Sequence, residues 1–316
     1  MTSPSADAVV TERLSKRYGS KWALRDCSLH IPRGRVCALV GPNGAGKTTL
    51  LQILTGLIKP TSGELCVLGS APSQDPAWLA DIGFLAQDMP LYGRMTAEQL
   101  IGMGRHLNPR WDESLARGRL EALGLALDRP VSRLSGGERA QVALALALGK
   151  RPRVLLLDEP VASLDPLARR DFLSSLAQAT AETELTVVLS SHLVADIQRV
   201  CDYLVVLSAA ETQLVGDVEE LLASHKILVG PRRHTETIAG RYEVVASQHT
   251  DRQTTLLVRH EGPVQEPWWD VASVGLEELV LAYMSRACEG RRPGLGAAAP
   301  LDEPGLATSR ATGGQP

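Results

Sequence analysis

Residues Gly41 to Thr48, GPNGAGKT, fit the spacing G-x-x-x-x-G-K-[ST]. They lie between a short apolar run, RVCALV, and TTLLQILTGL, whose apolar residues recur at helical spacing. Strand, glycine-rich loop and helix in that order make a phosphate cradle. Gly44 and Gly46 let backbone N–H groups turn inward, and the helix N-terminus adds the positive end of its dipole. Lys47 is placed to bridge the β- and γ-phosphates of a nucleotide, and the Thr48 hydroxyl to ligate Mg²⁺. The bland alternative is a glycine-rich turn that happens to hold a lysine. The flanking strand and helix argue against it.

A second stretch, VLLLDEP, runs from Val154 to Pro160. Four apolar residues leading into Asp158 set that carboxylate at the C-terminal end of a buried strand, where α/β sheets bind ligands. Asp158 suits Mg²⁺, and Glu159 suits a general base that orients or deprotonates an attacking water. A third stretch, LSGGE, covers Leu134 to Glu138, with Ser135 lying 23 residues before Asp158. Ser135 can cap a helix, with Gly136 and Gly137 offering free N–H groups behind it. On spacing alone LSGGE is only a helix start. As a second anion site in a chain that already has one, it makes best sense serving the nucleotide of another copy.

These stretches need a scaffold, and the rest of the chain supplies one. The 316 residues are 44% hydrophobic and 22% charged, enough to fold into about two domains. Net charge is −3, and a protein living by gripping nucleic acid would carry a basic excess, so no nucleic acid is expected. The five cysteines form no CxxC pair, which points to a reducing compartment rather than a disulfide or zinc framework. The N-terminal twenty residues have no signal-peptide run, and no stretch approaches 18 consecutive apolar residues.

Residues 9–32 alternate like antiparallel strands. Residues 90–150 are rich in Leu, Ala, Arg and Glu and read as a helical insert. From Pro152 strands and helices alternate, which implies a parallel sheet covered on both faces. Residues 211–285 suggest three short strands (ILVG, YEVVAS, TTLLVRH) and an amphipathic helix, GLEELVLAYMSRA. The Gly-, Ala- and Pro-rich stretch 286–316 is expected to be disordered.

The order GPNGAGKTT, a loop Gln at 87, LSGGE, VLLLDEP, SLD at 163–165 and LSSH at 189–192 resembles the ATP-binding subunits of ABC transporters over roughly residues 8–230. The resemblance implies an α/β P-loop NTPase cassette. Its parts are a RecA-like parallel core sheet, an N-terminal antiparallel β region and a helical insert at about 90–150. A small C-terminal α+β accessory region follows at 231–285. The stretch SSHLVADIQRVCDYLVVL and the short appended region are most similar to bacterial subunits that pair with separate ABC-2-type permeases, usually exporters.

The resemblance also implies roles. ATP would be held by Tyr18 stacking on adenine, by Gly41, Pro42, Asn43, Gly44, Ala45, Gly46, Lys47, Thr48 and Thr49, by Gln87 and Asp158, and by Ser135, Gly136 and Gly137 of a second subunit. Mg²⁺ would be held by Thr48, Gln87 and Asp158. Lys47, Glu159 and His192 would carry catalysis, with His192 contacting the γ-phosphate. Asp165 would sit at the dimer seam while capping the helix that starts at Pro166. Two copies, or this chain and a sibling, would sandwich two ATP at the cytoplasmic face of a membrane and drive permease subunits. Two departures stand out. LSGGE ends in Glu138 where the family most often has Gln, and the turn SAAET lacks the usual glycine.

Two other readings compete. A non-transport ATPase of the same family is one. A ribosome-acting type would carry two cassettes and a DNA-repair type a long coiled coil, neither of which is present. A cluster-assembly type stays open but is disfavoured by the extra C-terminal region and the acidic balance. A kinase or GTPase of another P-loop class would leave LSGGE unexplained, and no guanine-specificity motif follows.

Overall fold

The computed structural model describes residues 6–264 and 266–289. The first two strands, β1 (Asp7–Tyr18) and β2 (Lys21–Pro32), form an antiparallel hairpin. Next come β3 (Val36–Val40), the glycine-rich loop, α1 (Lys47–Leu54), β4 (Ser62–Val67), α2 (Pro76–Asp81) and β5 (Ile82–Leu85). The helical stretch supplies α3 (Ala97–Leu107), α4 (Glu113–Ala122) and α5 (Gly136–Gly149). Alternation then resumes with β6 (Val154–Leu157), α6 (Pro166–Ala181), β7 (Thr186–Ser191), α7 (Val194–Ile197), β8 (Tyr203–Ser208) and β9 (Glu211–Asp217).

The central sheet has the order β5-β6-β7-β3-β8-β9. Its first five strands are parallel and β9 closes it antiparallel. Every residue of β3, β6 and β7 is buried, as continuous apolar runs covered on both faces require. On one face, α1 and the three-stranded sheet β2-β1-β4 pack over Leu39, Leu156 and Val205. On the other, α5 and α6 bring Leu144, Phe172 and Leu176 onto Leu155, Val187 and Leu204. The insert has its own core of Leu100, Ile101, Ala116, Leu120 and Val142, joining α3, α4 and α5. The parallel strands all end on the loop side, so GPNGAGKT and the acidic end of VLLLDEP open from the C-terminal edge of the sheet, while LSGGE is carried by the insert.

The glycine-free turn still closes the β8–β9 hairpin. Ala209 and Ala210 both take left-handed backbone, φ 55° and 67°, the conformation a two-residue hairpin demands. Their strain is offset in part by the Ala210 carbonyl, which accepts from the Arg25 N–H at 2.7 Å and ties the turn to β2.

Beyond β9 come α8 (Val218–Ala223), β10 (His225–Pro231), α9 (Thr235–Ala239), β11 (Glu243–His249), β12 (Gln253–Arg259), β13 (Asp270–Ser273) and α10 (Leu276–Glu289). The four strands make an antiparallel sheet, β11-β12-β10-β13, over a small core of Leu228, Ile238, Leu256, Val258 and Trp269. Two boundaries drawn from the sequence need correction. A cut after residue 230 falls inside β10, because Pro231 still pairs with Gln253. A tail starting at 286 removes the end of α10, whose Arg286 pairs with Glu243 at 2.8 Å. Residues 290–316, where most of the expected disordered tail falls, lie outside the described residues. Among the described residues, no helix is long and apolar enough to cross a membrane.

Candidate functional site

The loop from Gly41 to Gly46 leaves β3 and delivers Lys47 to the first turn of α1. Gly46 takes φ 108°, and a Cβ there would fall 2.3 Å from the Ala23 carbonyl oxygen and 2.7 Å from Leu24. Only glycine fits, because the β2 backbone passes directly behind the loop. The Lys47 ammonium is buried, 5% exposed, and donates to the Gly41 carbonyl at 2.8 Å and to Pro42 at 3.4 Å. Its third neighbour is the Glu159 Oε1 at 3.1 Å.

Glu159 sits just past β6 with φ 48°, an uncommon left-handed conformation for a non-glycine residue. Its other oxygen meets the His192 Nδ1 at 2.5 Å. One carboxylate therefore bridges a lysine from the β3 loop and a histidine from the end of β7. Next to it, Asp158 is buried and accepts from the Ser190 hydroxyl at 2.8 Å. The same hydroxyl accepts from the Glu159 N–H at 2.8 Å. Ser190 is itself fully buried. It holds both acidic residues at once, and sequence reasoning had passed it over.

Around these groups lies a cavity of about 460 Å³, a size that suits a small-molecule ligand. Its walls take in Tyr18, the run from Asn43 to Thr49, Gln87, Glu159 and His192. Lys21 and Ala162 join them, with no chemical signal in the sequence to have singled them out. Tyr18 closes β1, is half exposed, and has the Lys16 ammonium 5.1 Å from its ring centre. Gly41 and Pro42 do not line the cavity and serve through their carbonyls. A second cavity adjoins the first and shares Thr48, Gln87 and Glu159 with it. Asp158 lines that one, so the three oxygen-bearing side chains Thr48, Gln87 and Asp158 converge there.

The LSGGE stretch lies elsewhere. Ser135 and Gly137 line a separate recess together with Glu138 and Asp165, which shares no lining residue with the Tyr18–His192 cavity. Ser135 caps α5, accepting from the Glu138 N–H at 3.2 Å, while the Glu138 carboxylate accepts from the Ser135 N–H at 2.7 Å. Glu138 thus closes a reciprocal box that the Gln more usual in the family would close equally well. The Ser135 N–H holds the Glu138 carboxyl below the usual carboxylate range, with Arg129 helping. Gly137 packs against α6, where a Cβ would fall 2.7 Å from that of Ala168. Asp165 caps α6 through the N–H groups of Leu167 and Ala168, both at 3.0 Å. Within one chain, therefore, Ser135 and Gly137 are not brought to Lys47.

A family described as ABC transporter matches residues 24–162. Over 222 residues the chain is 36% identical to the sulfate/thiosulfate import ATP-binding protein CysA of Synechocystis sp., covering 68% of this chain and 62% of the relative. Over 225 residues it is 34% identical to the thiamine import ATP-binding protein ThiQ of Vibrio cholerae, covering 68% of this chain and 91% of that one. Thus the chain spans just over three fifths of the length of the cyanobacterial relative. Among solved structures, a nucleotide-free ATP-binding cassette from an ABC transporter superposes with TM-score 0.60 at 26% identity, over 68% of this chain and 92% of that chain. cbiO1 of Clostridium perfringens, part of the ABC transporter complex cbiONQ, superposes with TM-score 0.61 at 26% identity, over 75% and 96%. Both curated relatives are importers by name, so an export direction finds no support from them.

Proposed function

This chain belongs to the family of ABC transporter ATP-binding proteins, and on that premise we propose that it is an ATPase that works in pairs to power a transporter with separate membrane subunits. The observation that carries the reading is the division of the site into two half-sites that share no lining residue. Head-to-tail pairing sets Ser135–Gly137 of one copy against the nucleotide held by Tyr18 and Gly41–Thr49 of the other.

Within each composite site the residues divide the work. Tyr18 stacks on the base. Backbone N–H groups of the loop and the start of α1 cradle the phosphates, and Lys47 neutralises them. Thr48, Gln87 and Asp158 offer a hydroxyl, an amide oxygen and a carboxylate, the donors that hold Mg²⁺ alongside substrate phosphates. When bound, that ion offsets charge developing on the phosphates. Glu159 accepts the proton of the attacking water, and His192 donates toward the γ-phosphate. Before ATP arrives, Lys47 and His192 both lie on Glu159. Phosphate oxygens must take them over for that carboxylate to act as a base.

The protein then works at the cytoplasmic face of a membrane, bound through its permease. The relatives' names support import, while the stretch from Ser190 to Leu207 and the appended region resemble subunits of ABC-2-type exporters. The test is to tag the full chain in its host, solubilise the membranes gently and identify what co-purifies. A multi-span subunit at near equal stoichiometry is expected, and an accompanying solute-binding protein marks import. Recovery only in the soluble fraction with assembly or repair factors overturns the transport reading.

A further inference from the structure

On the far side of the central sheet from the nucleotide cavity, where β3, β6 and β7 begin, lies a recess of about 290 Å³. Four arginines line it. They come from separate stretches: Arg33 after β2, Arg119 on α4, and Arg151 and Arg153 between α5 and β6. The carboxylates among the lining residues are two, Glu182 and Glu184, after α6.

The positive charge is only partly answered. Arg151 is paired with Asp112 at 2.6 Å and Arg119 with Glu182 at 3.3 Å. Arg153 reaches Asp81 only at 4.0 Å. Arg33 makes no ion pair among the described residues, and its Nε is buried without a hydrogen-bond partner. The Arg119 Nε is buried and unpartnered in the same way. Both Nε atoms are closed off from solvent, so an acceptor in the recess would be met by the terminal guanidinium nitrogens rather than by them. Burial lowers the Arg119 pKa, Glu182 partly restores it, and the Arg151 charge lowers it slightly again.

We propose that this recess is a second anion site, built for a small phosphomonoester with an apolar group attached. The arginines reach the recess from four different chain positions. A tetrahedral phosphate offers oxygens in several directions, whereas a carboxylate offers two in one plane. The remaining wall is apolar, with Leu115, Leu148 and Leu185 lining it, and it accommodates the organic part. The place has a consequence. Arg119 donates to the Ser175 carbonyl at 3.1 Å and so fastens α4 to α6, and Arg151 fastens the β6 approach to Asp112, the cap of α4. An occupant thus touches the clips that hold the insert, and with it the LSGGE half-site, to the core.

The test is calorimetric titration of the full chain carrying Lys47→Ala, which weakens phosphate binding at the glycine-rich loop. The probes are phenyl phosphate, inorganic phosphate and benzoate. One saturable site for phenyl phosphate is expected, with weaker binding of inorganic phosphate and benzoate. Adding Arg33→Gln weakens phenyl phosphate by about tenfold or more, the worth of a charge-assisted pair. Adding Glu184→Gln strengthens it, because a competing carboxylate is gone, and this second variant reads the site in the opposite direction. No saturable binding, or binding indifferent to Arg33, overturns the site. Benzoate binding as well as phenyl phosphate overturns the phosphate assignment.

Discussion

In the proposed reaction Glu159 is the residue on which the chemistry turns. In the free chain it holds two side chains, the Lys47 ammonium at 3.1 Å and the His192 imidazole at 2.5 Å. Replacing it with Gln removes the proton acceptor and also releases Lys47. Glu159→Gln should therefore bind ATP at least as tightly as the parent, accumulate as an ATP-bound pair and lose at least about 100-fold in turnover, the typical worth of a general base. Parent-like turnover in a steady-state phosphate-release assay would remove the base assignment. Ser190 is the quieter partner. Ser190→Ala leaves Asp158 with one acceptor unused and the Glu159 N–H unsatisfied, at a cost of about 1–3 kcal/mol. Turnover should fall while ATP affinity changes little, and calorimetry beside the assay separates the two. That Lys47, Asp158, Glu159 and His192 come together was legible, because motif order groups them. Ser190 was not. A strand serine carries no signal until the register of β6 against β7, Leu157 opposite Leu189, sets it beside Asp158.

At the scale of elements, helix starts do double duty. The box between Ser135 and Glu138 terminates α5 cleanly and leaves the N–H groups of Gly136 and Gly137 for an anion. Glu138→Gln keeps an oxygen acceptor for the Ser135 N–H and should unfold within about 0.5 kcal/mol of the parent, whereas Glu138→Ala should cost about 1 kcal/mol. Denaturant titration distinguishes them, and equal losses would deny the box its role. Strand and helix positions in the core were legible because apolar runs and 3.6-residue spacing are local. The hairpin turn at Ala209–Ala210 was not, since its left-handed backbone is held by Arg25 on a distant strand. The edge strand β13 was missed for a similar reason. All four of its residues are exposed, so no burial pattern marks it, and only pairing with β10 makes it a strand.

At the scale of the molecule, α10 binds the appended sheet to the nucleotide-binding core. Its Leu279, Val280 and Tyr283 join Leu204, Val206 and Leu214 in one apolar cluster. Within that junction His225 is fully buried, its Nδ1 2.7 Å from the Leu221 carbonyl and its Nε2 2.9 Å from the Tyr283 hydroxyl. The first nitrogen donates, so the second accepts from tyrosine, and the ring is neutral. Burial pushes its pKa below the ordinary 6.5, the Leu221 carbonyl partly opposing. The unfolded chain therefore takes up the proton first. Stability is flat above the unfolded value and falls as pH drops from about 6.5 toward the depressed folded value. The melting temperature should fall over that window, and His225→Phe should flatten that part of the slope. A slope unchanged by the substitution would clear His225 of the effect. The amphipathic pattern of residues 275–287 foretold a helix there. That it would dock on β8 and β9 depends on contacts distant in the chain, which no local pattern encodes.

The pairing of half-sites is the central claim, and a mixing experiment tests it directly. Lys47→Ala disables the phosphate loop. Ser135→Asp keeps a helix cap, since Asp caps as well as Ser, but sets a negative charge against the incoming phosphate. Each variant alone should be inactive, because every composite site in it has one spoiled half. A mixed pair contains one doubly spoiled site and one intact site, so ATPase activity should return when the two are combined. Activity that stays absent on mixing, or that survives in the Ser135→Asp variant alone, would contradict a site built from two chains.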